Sequence, residues 1–187
     1  MRWQNIKKLS NNQFRRVSGV KKTTFLKLVD LLRSKWILRR RAGGPRPKLS
    51  LENQLLLGLS YWRNYGTFLE TGTKFGVSET VAWKICRWIE DNLKNEKTLH
   101  LPGRRSLLSG KEKYEVVAFD VTECPIERPK KKNWGRRKNQ QKYFYSGKKK
   151  RHTIKQQIVV DTRTQKIIST CQSNGKTHDF KIYKKSK

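Results

Sequence analysis

The sequence predicts an α+β fold, with a helical first half followed by a region of strands. Up to about residue 93, apolar residues recur at helical spacing, and two of the predicted helices are joined by a turn of a few residues. From about residue 114, short apolar runs alternate with polar residues and turn signals, as is typical of strands. The 187 residues suffice for one or two small domains. We expect a basic helical segment with a linker over residues 1–45, a helix-turn-helix module over 46–100 and a sheet domain over 110–187.

The N-terminal segment contains one strongly patterned helix. Its apolar residues recur at helical spacing as Phe25, Leu28, Val29, Leu32 and Trp36. The helix runs into the stretch RRRAGGPRPK, whose glycines, prolines and charges indicate a linker.

The middle module carries capping signals for three helices. Ser50 is placed to cap the first helix, and the stretch from Thr67 to Glu70 fits a capping box that opens the second. Gly76 ends the second helix, because glycine adopts the left-handed cap conformation at little cost. Ser78 then caps a third helix that reaches about residue 92. Two helices joined by so short a turn form the helix-turn-helix pattern.

The third helix of this module divides into two faces. The face predicted to point inward carries Val81, Ile85, Trp88 and Ile89. The opposite face and the cap supply the candidate DNA contacts Ser78, Thr80, Trp83, Lys84 and Arg87. A recognition helix needs such a division, because one face packs on its own module while the other enters the major groove, where Lys and Arg reach guanine edges or phosphates. The alternative is an ordinary amphipathic helix with a solvated basic face.

The charge of the chain indicates a polyanionic partner. There are 45 Lys and Arg against 14 Asp and Glu, a net charge of +31, and such a charge repels itself in a compact protein. Nucleic acid is the polyanion that we expect, and an anionic membrane surface is the weaker alternative. The six Trp, six Tyr and seven Phe residues are more than a disordered chain usually has.

Cysteine usage and the N-terminus bear on the compartment. Cys86, Cys124 and Cys171 are odd in number and far apart, which indicates reduced thiols rather than a disulfide framework or a zinc site. The N-terminal MRWQNIKKLSNNQ lacks the apolar core of a signal peptide, and no apolar run approaches the roughly 20 residues of a membrane span. We therefore expect a cytoplasmic, nucleoid-associated protein without membrane contact.

A basic stretch lies between the first two predicted strands. RPKKKNWGRRKNQQKYFYSGKKKR holds twelve Lys and Arg, no acidic residue and four interleaved aromatic residues. Basic side chains neutralise phosphates and aromatic rings stack on exposed bases, so we predict nucleic-acid contact in this stretch. The candidate contacts are Lys130, Lys131, Lys132, Arg136 and Arg137. The alternative is a disordered loop or a localisation-type basic run.

Asp120 stands in the strand-like run VVAFDVTECPI. Because Asp is depleted in strands, a partly buried carboxylate there needs an ion pair, a hydrogen bond or a metal ion. Mg²⁺ prefers oxygen ligands, which makes Asp120 a candidate ligand in metal-dependent phosphoryl transfer. The alternative is a strand-end Asp paired with a nearby cation. Two further strands are predicted over 154–161 and 166–171, and Asp161, at the start of the turn between them, needs no further role.

The C-terminal stretch GKTHDFKIYKK contains a second candidate pair, His178 and Asp179. A helix is predicted to begin at Asp179, and a negative charge is favoured in the first turn of a helix. Helix capping is therefore the simpler interpretation of this pair.

These motifs, in this order, resemble those of bacterial insertion-sequence transposases of the DDE superfamily, in the group related to Harbinger elements. The middle module is similar to their helix-turn-helix domain. AFDVTECPIERP resembles their first catalytic strand, YFYSGKKKRHTIKQQIVVDTRTQKIIS resembles the next two strands, and GKTHDFKIYKKS resembles their Gly-x-x-His-Asp motif at the start of the first helix. The resemblance implies that residues 110–187 form the first three strands of an incomplete RNase H-like α/β domain.

The resemblance also implies roles for single residues. Asp120 matches the family's first catalytic aspartate, a ligand of Mg²⁺ or Mn²⁺, although Val121 replaces the small residue that usually follows it. His178 and Asp179 match a supporting His-Asp pair. The family's second catalytic Asp and final Glu lie further on and are not among the 187 residues. Metal binding by this chain alone is therefore expected to be weak or absent.

The implied function is that of a transposase, or a transposase fragment, that binds the terminal DNA of an insertion sequence. The complete enzyme would cleave DNA and transfer strands by metal-dependent chemistry, with double-stranded DNA as its partner. A second protomer or a C-terminal frame product is the further expected partner. The alternative is a non-catalytic DNA-binding protein that competes with intact transposase at the element ends.

Overall fold

The computed structural model describes residues 2–103, 105–108, 116–130 and 140–185, and the chain divides into two compact units. The first, Met1–His100, is the helical unit, and the second, Leu101–Lys187, is the sheet unit. The α+β class predicted from the sequence is confirmed. Across the described ranges, no helix is both long and apolar enough to cross a membrane.

The described part of the helical unit forms six α-helices and one short 3₁₀ helix. They are α1 (Trp3–Ile6), α2 (Asn11–Ser18), α3 (Lys22–Arg41), α4 (Leu51–Asn64), α5 (Phe68–Phe75), α6 (Glu79–Lys94) and the 3₁₀ helix Lys97–Leu99. Helix α3 contains the predicted N-terminal helix, and α4 to α6 are the three helices predicted for the middle module.

One hydrophobic core joins these helices. Five different helices, α2 to α6, each contribute a side chain that is at most 1% exposed: Phe14, Phe25, Leu55, Phe75 and Ile89. Because α2 and α3 share this core with α4 to α6, the N-terminal segment, which was expected as a separate part, packs in the same unit as the helix-turn-helix.

The capping signals read from the sequence are present in the structure. Ser50 accepts a hydrogen bond from Asn53 N (3.4 Å) at the start of α4. At the start of α5, both bonds of the capping box between Thr67 and Glu70 are made. The α5–α6 turn is therefore defined by local chemistry, and Gly76 ends α5 in the left-handed conformation with φ of 72°.

The turn between α5 and α6 is tight because Gly72 lets the chain pass close to α5. A Cβ atom at this position would lie 2.7 Å from the carbonyl oxygen of Val77. Ser78 then caps α6 by accepting a hydrogen bond from Val81 N (3.4 Å). Any larger residue at Gly72 must push the turn, and with it the start of α6, away from α5.

The described part of the sheet unit contains four strands and three short helices. In chain order they are α7 (Arg105–Leu108), β1 (Val117–Pro125), α8 (Gln140–Phe144), β2 (Tyr145–Ser146), β3 (Arg151–Asp161), β4 (Ile167–Asn174) and α9 (Asp179–Lys185). Strand β3 is central and pairs antiparallel with β1 on one side and with β4 on the other. The three strands predicted from the sequence are confirmed as β1, β3 and β4, and β3 and β4 are longer than predicted.

The β3–β4 turn confirms the simple interpretation of Asp161. Its carboxylate accepts hydrogen bonds from Arg163 N (3.0 Å) and from the hydroxyl of Thr164 (2.5 Å). The hydrogen bond from Thr164 is the main cause of a lowered pKa at Asp161, and those from the backbone N–H groups of Arg163 and Thr164 add to it. Asp161 therefore holds the hairpin turn in place.

The two faces of the sheet differ in burial, and the more buried face is the polar one. The β3 residues expected to share one face, Ile154, Gln156, Ile158 and Val160, are only half-buried. The alternate residues Thr153, Lys155, Gln157, Val159 and Asp161 are buried. Helix α9 covers this second face, where the ring of Tyr183 stacks on Phe119 at 5.3 Å between ring centroids. The sheet therefore buries a polar face that the apolar pattern of β3 does not indicate.

The sheet unit has a small apolar core. Among the described residues, its buried apolar side chains are Val159, Ile168 and Ile182, whereas sixteen form the buried cluster of the helical unit. Because stability comes largely from buried apolar area, we expect the sheet unit to open more readily than the helical unit.

Candidate nucleic-acid interface and catalytic carboxylate

The outer face of α6 presents the predicted DNA contacts to solvent. Thr80, Trp83, Lys84 and Arg87 are all exposed, and Ser78 is exposed at the cap. The inner face is formed by residues spaced three and four apart and fully packed in the core. Helix α6 thus has one face fixed on its own unit and one face open to a ligand.

One residue predicted to face inward does not. Val81 is 41% exposed, and the buried residues of α6 are Ala82, Ile85, Cys86 and Ile89. Both stripes keep helical spacing, but the buried one is rotated toward Ala82 and Cys86, because α4 and α5 cover that side of α6. Val81 therefore lies at the border of the exposed face, next to Lys84.

Arg87 and Lys84 differ in their surroundings. Arg87 forms an ion pair with Glu90 (3.2 Å), and Glu90 also accepts a hydrogen bond from the indole N–H of Trp62 (2.9 Å). This exposed ion pair is weak, so a phosphate or a guanine edge can replace it at little cost. Lys84 lies one turn closer to the start of α6, where the helix end carries partial positive charge.

The basic stretch predicted to contact nucleic acid is described only at its two ends. Lys130 is exposed, and on the other side Tyr143 and Tyr145 are 54% and 44% exposed. Lys131, Lys132, Arg136 and Arg137 lie outside the described residues. The exposed rings provide surfaces on which bases can stack, and nucleic-acid contact in this stretch stays a prediction.

Asp120 lies near the middle of β1, opposite Ile158 of β3. Its side chain is exposed, which differs from the partly buried position inferred from the apolar run. One carboxylate oxygen accepts a hydrogen bond from Val121 N (2.8 Å). Because residues on a strand alternate between faces, Asp120 lies on the face of Ile158, opposite to the face that α9 covers. The run tolerates a carboxylate because this position is open to solvent.

A buried cation lies on the other face and was not identified from the sequence. The side chain of Lys155 is 10% exposed, and its Nζ lies 2.8 Å from Asp179 and 3.5 Å from Glu123. The side chain of Glu123 is 9% exposed and also accepts a hydrogen bond from the hydroxyl of Thr153 (3.2 Å). This cluster ties β1, β3 and the start of α9 together.

Glu123 is held in its charged form. A hydrogen bond from Ser146 is the largest cause of its lowered pKa, and Lys155 and Thr153 lower the pKa further, against the effect of burial. A carboxyl whose pKa is lowered by folding contributes stability above its unfolded pKa, and that stability is lost as pH falls through the folded pKa. The buried cluster is therefore stable at neutral pH and weakens in acid.

The His178–Asp179 pair occupies the start of α9. The backbone carbonyl of His178 accepts hydrogen bonds from Lys181 N (2.9 Å) and Ile182 N (3.2 Å), and its ring nitrogen Nδ1 accepts one from Phe180 N (3.3 Å). Asp179 is the acidic residue of the first turn and binds Lys155. The structure thus gives both residues a capping geometry, and Asp179 is attached to the face of the sheet opposite Asp120.

The carboxylate of Asp120 fits part of what the implied divalent metal needs. Asp120 offers an exposed carboxylate on a strand, which suits one oxygen ligand of Mg²⁺ or Mn²⁺. Within the described ranges, no group of three or more His, Cys, Asp or Glu side chains is placed to hold a metal ion. Among the described residues, Asp120 therefore fits as a single ligand.

Within the part of the chain that the structure describes, the three cysteines are free and none belongs to a group of side chains placed to hold a metal ion. Cys86 is buried in the core of the helical unit, and burial, together with the charge of Glu90, raises the pKa of its thiol to about 12. Such a thiol stays protonated and unreactive at neutral pH. Cys86 therefore acts as a small apolar core residue.

Comparison with known protein families gives two matches along the chain. Residues 47–96, which contain α4, α5 and α6, match the family described as the helix-turn-helix of DDE superfamily endonuclease. Residues 119–187, which contain Asp120, β3, β4 and α9, match the DDE superfamily endonuclease family. Endonucleases of this superfamily generally use divalent metals. The order of the two matches is that of the helical unit and the sheet unit.

A relative that aligns along the whole of this chain agrees with these matches. The probable transposase for insertion sequence element IS702 from Microchaete diplosiphon is 37% identical over 186 residues, which cover 100% of this chain and 64% of that protein. The chain thus spans less than two thirds of the length of the curated relative that it matches. No solved structure matches the chain.

Proposed function

Since the chain belongs to the DDE-superfamily transposases of insertion sequences, we propose that it binds the terminal DNA of such an element through α6. The observation that carries the proposal is the exposed face of Thr80, Trp83, Lys84 and Arg87 on the second helix of a capped helix-turn-helix. The N-terminal part of α6 enters the major groove in this proposal, with its side chains at base edges.

We propose that catalysis requires an assembly to which this chain contributes one part. We propose that Asp120 is one carboxylate ligand of a divalent metal, which supplies activation of the attacking oxygen in DNA strand cleavage and strand transfer. His178 and Asp179 position the start of α9, and Lys155 fixes Asp179 to β3. A second protomer or a C-terminal frame product is the proposed source of the remaining ligands.

A second candidate function is DNA binding without catalysis, in competition with intact transposase at the element ends. The observation that favours it is the independence of the helical unit, which has its own core and carries the whole of α6. Binding through α6 then needs none of the residues of the sheet unit. Metal-dependent nicking of element ends by an assembled form separates the two candidates, because only the catalytic candidate predicts it.

Duplex binding is expected to weaken steeply with salt. Neutralising about six phosphates releases counterions and gives a slope near −5 for log K against log salt concentration. The measurement is fluorescence anisotropy of a labelled duplex titrated with the chain at several salt concentrations. A slope near zero would remove nucleic acid as the main partner.

Preference for the element's own ends is expected to depend on two α6 side chains. Lys84→Ala and Arg87→Ala should each reduce the preference over an unrelated duplex by about 1–3 kcal/mol if the side chain makes a bidentate contact to a base. Neutralising Lys130, Lys131 and Lys132 should weaken both duplexes alike, because phosphate contacts carry no sequence information.

Exposed Lys27 on α3 provides a matched control for loss of one charge. Lys27→Ala should leave the ratio of the two affinities unchanged. If the α6 variants and the Lys130–Lys132 variant changed this ratio equally, α6 would not be the helix that reads the sequence.

A further inference from the structure

A cleft of about 540 Å³ lies inside the helical unit, between the end of α3, the linker that follows it and the start of α6. The linker forms one wall, and a hydrogen bond from Arg40 to the carbonyl oxygen of Pro45 (3.2 Å) ties it to α3. The volume is in the range of sites that bind small molecules. None of the DNA contacts proposed above requires such a cleft.

The cleft is lined by apolar side chains and by cations. Its apolar side chains are Trp36, Leu49, Val77, Val81 and Ile85, and its cations are Arg39, Arg40, Arg46, Lys48 and Lys84. None of the residues that line it, all in the described part of the chain, is acidic. Ser78 and the positive end of α6 add to the attraction for an anion.

Gln54 gives the cleft a specific polar group. This side chain lines the cleft, is only 2% exposed, and donates a hydrogen bond from Nε2 to the carbonyl oxygen of Leu49 (2.9 Å). Because the carbonyl oxygen of Leu49 can only accept a hydrogen bond, the side-chain amide of Gln54 must direct its Nε2 toward it. Oε1 is then the remaining polar atom of this amide. Oε1 has no hydrogen-bond partner. A buried acceptor without a partner is rare. Oε1 is itself closed to solvent, so a ligand N–H would satisfy it after a small shift of the side chains around it.

We propose that this cleft binds one unpaired nucleotide of the DNA end, and the proposal rests on the DNA-binding function proposed above. The base lies against the apolar side chains beside Trp36, one of its N–H groups donates to Gln54 Oε1, and its phosphate lies beside the cations that line the cleft. A flat body, an N–H donor and an attached anion are the three features that the cleft matches.

A paired base does not satisfy this arrangement. In a duplex, the Watson–Crick N–H groups are already bonded and the ring faces are stacked, so the nucleotide must be unpaired or turned out of the helix. Ser78 and Lys84, at the start of α6, line the cleft. A nucleotide next to the duplex bound by α6 therefore reaches the cleft without a second DNA molecule.

The test uses the full chain and two labelled duplexes of the same sequence, one blunt and one with a single unpaired 3′ adenosine. The wild-type chain should bind the overhang duplex about tenfold more tightly, which is the usual gain from stacking one base on an aromatic side chain. Gln54→Leu should bring the ratio of affinities close to one and leave the affinity for the blunt duplex unchanged.

Two further variants keep the test decisive. Val81→Trp fills the cleft from its exposed side and should also abolish the overhang preference, which covers the case in which Gln54→Leu does not fold. Arg33→Ala removes an exposed cation that does not line the cleft, and should preserve the tenfold ratio. Loss of the preference in Arg33→Ala as well would overturn the proposal.

The outcomes separate this proposal from the function on which it rests. Equal, salt-sensitive binding of both duplexes by the wild-type chain overturns the nucleotide site and leaves DNA binding through α6 intact. Binding of neither duplex overturns both. Free dAMP in excess should reduce the overhang preference alone. If dAMP binds in the cleft while the overhang gives no preference, the ligand is a free nucleotide and the DNA-end proposal is wrong.

Discussion

Replacing Lys155 by methionine is expected to destabilise the sheet unit by about 3–5 kcal/mol, the usual cost of removing one partner from a buried ion pair. The side chain of Lys155 is 10% exposed and lies between Glu123 and Asp179. Its loss leaves the charge of Glu123 buried without its cation and releases the start of α9. Because the apolar core of the sheet unit is small, we expect this loss to approach or exceed the whole free energy of unfolding of that unit.

Amide hydrogen exchange of the full chain measures this effect. In Lys155→Met, amides of β1, β3 and β4 should exchange much faster than in the wild type, while those of α4 and α6 keep their protection. Lys166→Met, at an exposed position before β4, serves as the matched control and should leave all rates unchanged. Equal protection in the two variants would show that the cluster does not stabilise the unit.

The double variant Glu123→Gln, Lys155→Met separates the lost ion pair from lost packing. Removing the buried charge together with its partner avoids an unpaired carboxylate, so the double variant should recover part of the stability lost in Lys155→Met. No recovery would assign the effect to the lost packing of the lysine side chain instead.

Replacing Asp120 by alanine is expected to lower metal-dependent nicking of element ends by more than about 100-fold, since loss of groups that only orient a metal ligand already costs 10–100-fold. Because the proposed function takes the remaining ligands from another polypeptide, the assay uses an assembled form. Residues 1–187 are combined with a polypeptide that carries the family's later Asp and Glu, either fused or as a separate chain, in Mg²⁺ or Mn²⁺. DNA binding should be unaffected, because α6 belongs to the other unit.

Thr122→Ala provides the matched control for the Asp120 variant. Thr122 is exposed on the same face of β1, two residues further along, and has no carboxylate. Its variant should nick at the wild-type rate. Equal nicking by Asp120→Ala and the wild type would contradict the catalytic assignment, and absence of nicking in every assembled form would favour the non-catalytic binder.

Features fixed by local chemistry were predicted well. The caps at Ser50, Thr67 and Ser78 and the left-handed Gly76 depend on residues within one turn of chain, so the sequence identified them directly. The turn held by Asp161 is local in the same sense. The order of the motifs along the chain also predicted the family. Single residues such as Asp120 would not have identified the family by themselves.

Features that depend on distant packing were missed. Val81 was expected in the core, but it is exposed and lines the cleft between α6 and the linker that follows α3. The position of this linker depends on α3, which is distant in the sequence. The burial of Lys155 depends on α9, which begins 24 residues further along the chain. The sequence did contain one signal for this position. Because successive residues of a strand point to opposite faces, Lys155 had to lie on the face opposite Ile154 and Gln156, beside a residue of the strand that pairs with β3.

The position of α6 in the major groove is tested most directly by methylation interference on an element end. Dimethyl sulfate methylates guanine N7 in the major groove and adenine N3 in the minor groove, so one experiment reports on both grooves. We expect guanine N7 methylation at a few adjacent positions to block binding of the wild-type chain, and this interference to disappear in the Lys84→Ala, Arg87→Ala double variant. Interference confined to adenine N3, or unchanged in the double variant, would contradict reading of the DNA by α6.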